Sequence, residues 1–293
     1  MSANEPTNPK TAYLTLTSTI LLWGSAFSGL KFVLGQIDPY TLSALRLLVA
    51  AGGLALAAVV FDVPMPERED WPQIGVTGLV AFACYHLALN FGMSFPAVSA
   101  GQASFIISTT PIWTAILAWR FLDERTTWRT WLGLTLGLGG IGYMSLDLQQ
   151  LTVSVGMLVV LLAALFNAVN LVLQKDLLDR YRGLHVAIYL TIVGSLPMLL
   201  YLPWAWGPAG GLDATTWLVV LYLGLGPIAL GYFLNTITLS ILDASRMSQA
   251  ILLVPPVATL IAWLALGEAP STQLFVGGPL ILIGVLLGQM DRR

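Results

Sequence analysis

Charge is what this sequence has least of. Of its 293 residues only 10% are Asp, Glu, Lys or Arg, while 57% are hydrophobic; an ordinary soluble domain carries roughly 25% charge. The 13 basic and 15 acidic residues cannot furnish the surface that keeps a globule of this size in water, so a soluble globule is excluded and the solvent is lipid. The net charge of -2 gives no basic excess for phosphate contacts, which excludes nucleic acid as a partner. A single cysteine, Cys84, rules out an internal disulfide framework, and that thiol with 2 histidines cannot build a structural zinc site. No metal or cofactor is expected. There is no phosphate-binding loop either, so ATP does not drive the protein directly.

What is present is long apolar runs. Crossing a hydrocarbon core takes about 20 mostly apolar residues, and ten such runs are readable. They are Ala12–Gln36, Pro39–Phe61, Trp71–Met93, Ala97–Phe121, Trp128–Leu146, Val153–Gln174, Gly183–Leu202, Ala214–Leu239, Ala244–Leu266 and Thr272–Met290. The first is too long for a signal-peptide core and reads as a retained helix. Basic residues accumulate in cytoplasmic loops. With the N-terminus inside, eleven of the 13 fall there; the other two, Lys31 and Arg46, lie within runs one and two toward their outer ends. The expectation is an all-α integral membrane protein of ten transmembrane helices, multi-pass in the inner (plasma) membrane, with both termini cytoplasmic.

The two halves of the chain match when displaced by 144 residues. Lys31 falls on Lys175, Ala100 on Ala244, Ser104 on Ser248, Pro111 on Pro255, Trp119 on Trp263, Glu124 on Glu268, Gly133 on Gly277 and Gly140 on Gly284. Bias toward Leu, Ala and Gly does not produce the Pro, Trp and Glu pairs. Each half holds five runs, an odd number, so the second copy enters the bilayer from the opposite side, as in the inverted repeats of many secondary transporters. The domain reading is a tail over 1–11, a five-helix repeat over 12–146, a second over 153–290, and a tail over 291–293.

These same residues carry a family resemblance. "LLWGSAFSGLKFVLGQIDPYTLSALRLLVA" resembles the first helical hairpin of EamA-type members of the drug/metabolite transporter superfamily. "SAGQASFIISTTPIWTAILAWRFLDERTTWRTWLGLTLGLGGIG" resembles that family's fourth and fifth helices, and the second half repeats the pattern without an Arg after Glu268. The resemblance covers nearly the whole chain and implies a ten-helix carrier exporting small metabolites, most similar to bacterial aromatic amino acid exporters of the YddG type.

Residues that interrupt or polarise the runs mark the expected pathway. Proline removes a backbone hydrogen bond and kinks a helix, which lipid tolerates only beside protein or a wet cavity. Pro111, Gly226 with Pro227, and Pro255 fall near the centres of runs four, eight and nine and read as hinges or as static bends. Tyr85, His86 and Asn90 share run three; Gln102, Phe105 and Thr109 form a stripe in run four; Asn167 and Asn170 lie three apart in run six; Tyr232 and Asn235 lie three apart in run eight; Ser248 and Gln249 add polar groups to run nine. Such groups line a substrate cavity or glue helices together. Trp23, Ser25 and Phe27 sit near the middle of run one and Trp113 well inside run four, as stacking surfaces for an apolar or aromatic substrate or as core.

The charged residues leave alternatives open. No acidic residue falls inside a run, so no carboxylate relay is expected. His86 is either a satisfied hydrogen-bonding partner or a proton shuttle. Lys31 and Arg46 either snorkel to the outer surface or make an outer mouth positive and attract a carboxylate. Gly133 with Gly137 and Gly284 with Gly288 permit close helix approach in runs five and ten, bracing the bundle or forming a weak homodimer. The expected function is export of small molecules, aromatic or bulky neutral amino acids foremost, by alternating access. The alternatives are a multidrug or other amphiphile exporter of the same fold, a channel, and, more remotely, an intramembrane lipid-modifying enzyme. For the last, His86 has no carboxylate to orient it. A non-enzyme whose partners are the bilayer and a small-molecule substrate is therefore expected.

Overall fold

The computed structural model describes residues 9–121, 128–147, 152–241 and 251–289. Ser248, Gln249 and the 291–293 tail lie outside the described residues, as does the 1–11 tail up to residue 8. Fourteen helices run through the described chain: α1 (Pro9–Leu34), α2 (Pro39–Val60), α3 (Trp71–Gly78), α4 (Tyr85–Ser94), α5 (Ala100–Ile107), α6 (Thr110–Phe121), α7 (Trp128–Ser145), α8 (Val155–Leu173), α9 (Lys175–Arg180), α10 (Gly183–Gly210), α11 (Ala214–Leu223), α12 (Gly231–Ile241), α13 (Val254–Leu266) and α14 (Thr272–Gln289). Two π-helical stretches, Leu79–Cys84 and Gly224–Leu230, join α3 to α4 and α11 to α12. A two-residue ribbon, β1 (Leu146–Asp147) antiparallel to β2 (Thr152–Val153), links α7 to α8. The architecture is otherwise all-helical among the described residues.

Among the described residues six helical segments are long and apolar enough to cross a membrane: Lys10–Leu34, Pro39–Val60, Arg68–Ser94, Val155–Arg180, Gly183–Gly210 and Ala214–Asn235. Leu56, Val59, Leu200, Trp204 and Leu264 are exposed on helix faces. A water-facing surface would not carry so much apolar area, whereas hydrocarbon accepts it.

Helix boundaries recur at the displacement read from the sequence. Pro39 and Gly183 begin α2 and α10, Thr110 and Val254 begin α6 and α13, and Trp128 and Thr272 begin α7 and α14, each pair 144 residues apart. The π-helical stretches overlap under the same displacement. Local chemistry fixes several ends. Asp38 accepts from the backbone N–H of Tyr40 and of Thr41, each at 2.9 Å, with Pro39 in the first turn, where its missing donor costs nothing. Ser99 and Gln102 form a reciprocal capping box at the start of α5. Gly267, at φ +69°, takes the left-handed conformation that stops α13.

The prolines act differently from the expected kinks. Run four is two helices, α5 and α6, and Pro111 sits in the first turn of the second, where no intrahelical donor is needed. Pro255 occupies the same place in α13. Gly226 and Pro227 lie inside a π-helical stretch that widens run eight without severing it.

α7 packs along α14. A Cβ on Gly140 would lie 2.6 Å from the Gly277 carbonyl oxygen, and one on Gly284 would lie 2.5 Å from that of Gly133. Only glycine permits this backbone approach. These glycines are therefore spent on pairing two helices of one chain.

Candidate functional site

At the junction of α1, α2, α4 and α12 polar and aromatic side chains gather inside an apolar bundle. Ser43 and Arg46 lie three apart on α2, and His86 and Asn90 four apart on α4, so each pair shares a helix face. Arg46 is 2% exposed. Its Nη1 donates to Asn90 Oδ1 at 3.2 Å, Asn90 Nδ2 donates to Ser43 Oγ at 2.7 Å, and Ser43 Oγ donates to the Pro39 carbonyl at 2.7 Å. Arg46 Nε and both ring nitrogens of His86 are buried without a hydrogen-bond partner. The Tyr85 ring centroid lies 4.7 Å from that of His86, and Phe82 lies 5.8 Å from it. Tyr232 completes the group, 5.9 Å from Phe82 and 5.9 Å from Trp23. Trp23 Nε1 donates to the Pro227 carbonyl at 3.0 Å, which ties α1 to the second π-helical stretch. Burying an unpaired polar group costs about 1–3 kcal/mol, a cost that a ligand or water bonded to these nitrogens would offset.

The structure thus brings together Trp23, Tyr85, His86, Asn90 and Tyr232 of the candidates. Others have separate tasks. Gln102 Oε1 accepts from the Ser99 backbone N–H at 3.0 Å and caps α5. Phe105 and Phe27 are buried in the hydrophobic core, with Phe105 against Gly278 of α14. Ser25 pairs with the Tyr222 hydroxyl. Trp113 Nε1 donates to Thr109 Oγ1 at 3.1 Å, and both line a shallow cleft against Leu134, Gly137 and Ile141 of α7. Asn167 Nδ2 reaches Thr110 Oγ1 at 3.4 Å, and Asn170 Oδ1 is buried and unpartnered. Asn235 is half-buried on α12.

Arg46 corrects the reading of a side chain that snorkels or guards a mouth: it is buried against α4. Ser43 three residues earlier, on the same face, is the signal that could have turned it inward. His86 likewise is not a satisfied partner, since neither nitrogen is bonded. Lys31 is partly exposed at the end of α1. Its Nζ donates to the carbonyls of Met93, Phe95 and Val98 at 3.2, 3.2 and 2.6 Å, closing the end of the bundle where α1 stops. Nearby, Glu268 Oε2 accepts from the Ala100 backbone N–H at 3.0 Å, placing a carboxylate on the first turn of α5.

The opposite end holds a cluster that sequence reasoning missed. Asp70 is 2% exposed, bound by Arg180 Nη1 and by the Tyr181 hydroxyl. Arg180 Nη2 donates to Gln73 Oε1 at 3.0 Å, Gln73 Nε2 to the Leu173 carbonyl at 3.0 Å, and Tyr189 Oη to the Pro64 carbonyl at 2.6 Å. The bond to Asp70 pushes the Tyr181 phenol above its usual range. No group of three or more His, Cys, Asp or Glu suited to a metal occurs among the described residues.

Comparison with known proteins adds the following. The EamA-like transporter family matches residues 10–146 and 154–288. The chain is 34% identical over 281 residues to a protein of Streptantibioticus cattleyicolor named "probable terminal-alkyne amino-acid exporter", covering 94% of this chain and 92% of that one. It is 32% identical over 279 residues to the uncharacterized transporter YdfC of Bacillus subtilis, covering 94% and 90%. A crystal structure of a protein with 19% sequence identity aligns with a TM-score of 0.63 over 97% of this chain and 98% of that chain, a likeness of fold alone.

Proposed function

The chain belongs to the EamA-like transporter family, and on that premise we propose that it exports amino acids with aromatic or bulky neutral side chains by alternating access. It is a multi-pass membrane transporter; the finer reading is ten spans in two five-helix inverted repeats, 12–146 and 153–290, with short tails at 1–11 and 291–293. Both termini face the cytoplasm and the membrane is the cell's inner membrane. Helix boundaries separated by 144 residues support the repeat, and the basic residues support the orientation. A cysteine label at Glu67 that reacts from outside overturns that orientation.

One observation carries the substrate reading. Phe82 and Tyr85 flank the buried, unpartnered ring of His86, Tyr232 and Trp23 extend that aromatic group, and Asn90 on the same helix holds the buried Arg46, at helices drawn from both proposed repeats and beside both π-helical stretches. Aromatic faces suit an aromatic side chain, and unpartnered polar groups suit its charged end. The relative from Streptantibioticus cattleyicolor is described as a probable terminal-alkyne amino-acid exporter, which supports amino acids as the class. Pro111, Gly226, Pro227 and Pro255, at the helix breaks and the π-helical stretch, serve as the hinges.

The test is counterflow in proteoliposomes. Labelled phenylalanine should accumulate against internal Phe, Tyr or Trp, saturate, and ignore Asp. Linear, non-saturating flux identifies a channel, and preference for cationic amphiphiles identifies a multidrug exporter. Equal exchange of Asp and Phe means the aromatic lining is only packing.

A further inference from the structure

Two charged side chains are buried to 2% exposure among the described residues, Arg46 and Asp70. Asp70 is neutralised by Arg180. Arg46 forms no ion pair among the described residues: its hydrogen-bonding partner there is a neutral amide, Asn90 Oδ1, and its Nε is bare. A buried guanidinium without a counter-charge is costly, and an anion delivered to it offsets that cost. Asn90 also fixes the group in place, because it is itself held by Ser43, which is held by the Pro39 carbonyl. With Nη1 occupied, the Nε side of the planar fork remains, and such an edge receives a carboxylate through parallel charge-assisted bonds.

The surroundings offer nothing comparable to a cation. Among the described residues no carboxylate belongs to this group of side chains; Asp70 and Glu268 are engaged at opposite ends of the bundle. Tyr85, Tyr232 and His86 contribute polar tips on aromatic bodies. Resting on the exporter reading above, we infer that Arg46 is the carboxylate anchor of the transport site and that the substrate class is set by a carboxylate joined to an aromatic or bulky apolar body. The α-ammonium of an amino acid is tolerated there and is not required.

Three probes of one shape separate the possibilities: 3-phenylpropionate, 3-phenylpropionamide and 3-phenylpropylamine. Binding to the purified full-length protein is read from the rise in unfolding temperature with ligand concentration. The carboxylate should bind at least about tenfold more tightly than the amide or the amine, the ratio expected from one charge-assisted hydrogen bond. Equal or tighter binding of the amide or amine overturns the assignment, as does failure of all three to bind. In Arg46→Met the carboxylate-to-amide ratio should fall toward one, and in Arg46→Lys it should fall part of the way, since an ammonium lacks the fork. A ratio unchanged in either variant overturns the anchor; a purely structural Arg46 would lower all affinities together. The wild-type comparison needs no variant to fold. Phenylalanine counterflow without carboxylate preference removes Arg46 and leaves export standing, while carboxylate preference without phenylalanine flux does the reverse.

Discussion

The region formed by α2, the first π-helical stretch and α4 has a counterpart 144 residues further on, in α10, the second π-helical stretch and α12, and the two differ in chemistry rather than in outline. Arg46 in the first corresponds to Leu190 in the second, Tyr85 to Ala229, His86 to Leu230 and Asn90 to Leu234. Leu190 is buried to 2%, as Arg46 is. Each helix pair carries its π-helical widening at an overlapping position. The backbone pattern is thus doubled, whereas the polar side chains at these four positions are present once. Under the proposed alternating access, two equivalent halves can interchange shapes while a single ligand needs one anchor. Tyr232 and the Pro227 carbonyl are the second half's contribution, an aromatic edge and an acceptor for Trp23.

The symmetric part of the comparison breaks most severely where backbones touch. Gly284→Leu would drive side-chain atoms into the Gly133 carbonyl oxygen, which lies only 2.5 Å from where a Cβ at position 284 would sit, and main chain cannot yield as a side-chain tip does. Overpacking a core costs about 1–3 kcal/mol where side chains can adjust, so here the expected outcome is loss of detergent-stable protein. Gly139→Leu on α7, with open space around its Cβ position, should leave the unfolding temperature within a degree or two of wild type, on the order of a surface substitution. If both variants are equally stable, α7 and α14 are not the brace.

The proposed hinges are the next way to sharpen it. Pro111 and Pro255 occupy equivalent first turns after the helix breaks. Pro→Ala at either position restores a donor and lets the breaks close, so phenylalanine counterflow should slow by roughly three- to tenfold, or about 1 kcal/mol in the barrier, with binding affinity unchanged. Equal effects at the two positions support equivalent motions. Unchanged flux in both reduces the prolines to shape.

How much of this is legible in the sequence follows from which signals are local. The apolar runs and the recurrence at 144 residues depend on neighbours in sequence, and the run starts at Pro39, Trp71, Trp128, Gly183, Ala214 and Thr272 are also helix starts. The division of run four into α5 and α6 looks like a kink from sequence, because Pro111 signals an interruption without saying whether a new helix starts there. Arg46 is visible in the sequence but its direction is not, since its acceptor is Asn90, 44 residues off. Asp70 passes for a loop acid because its partner, Arg180, is 110 residues away. Periodicity reports which face of a helix is apolar, and only tertiary packing reports which polar groups meet across it.

The smallest effects come from the acids that precede corresponding helices, Asp70 before α3 and Asp213 before α11. Asp70 makes no capping bond and is spent on Arg180 and Tyr181. Asp70→Asn should cost about 1–2 kcal/mol, less than a fully buried pair because Arg180 is 46% exposed, read as a lower unfolding temperature that Asn at 213 does not reproduce. Asp213 instead caps its helix, accepting from the Thr216 backbone N–H at 2.7 Å, and its hydrogen bonds with Thr216 hold the carboxyl below its usual 3.8. A depressed acid stabilises the fold above its unfolded value, and that stabilisation is lost as pH falls through the lowered folded one. Tyr181 runs the other way. Its raised phenol keeps its proton, so the contribution is complete below the ordinary 10.0 and is lost as pH rises through the higher folded value. Unfolding temperatures measured against pH should therefore lose an acid-side decline in Asp213→Asn and an alkaline-side decline in Tyr181→Phe. If both declines persist unchanged, the two acids differ only in position and the cluster around Asp70 does not hold the bundle's end together.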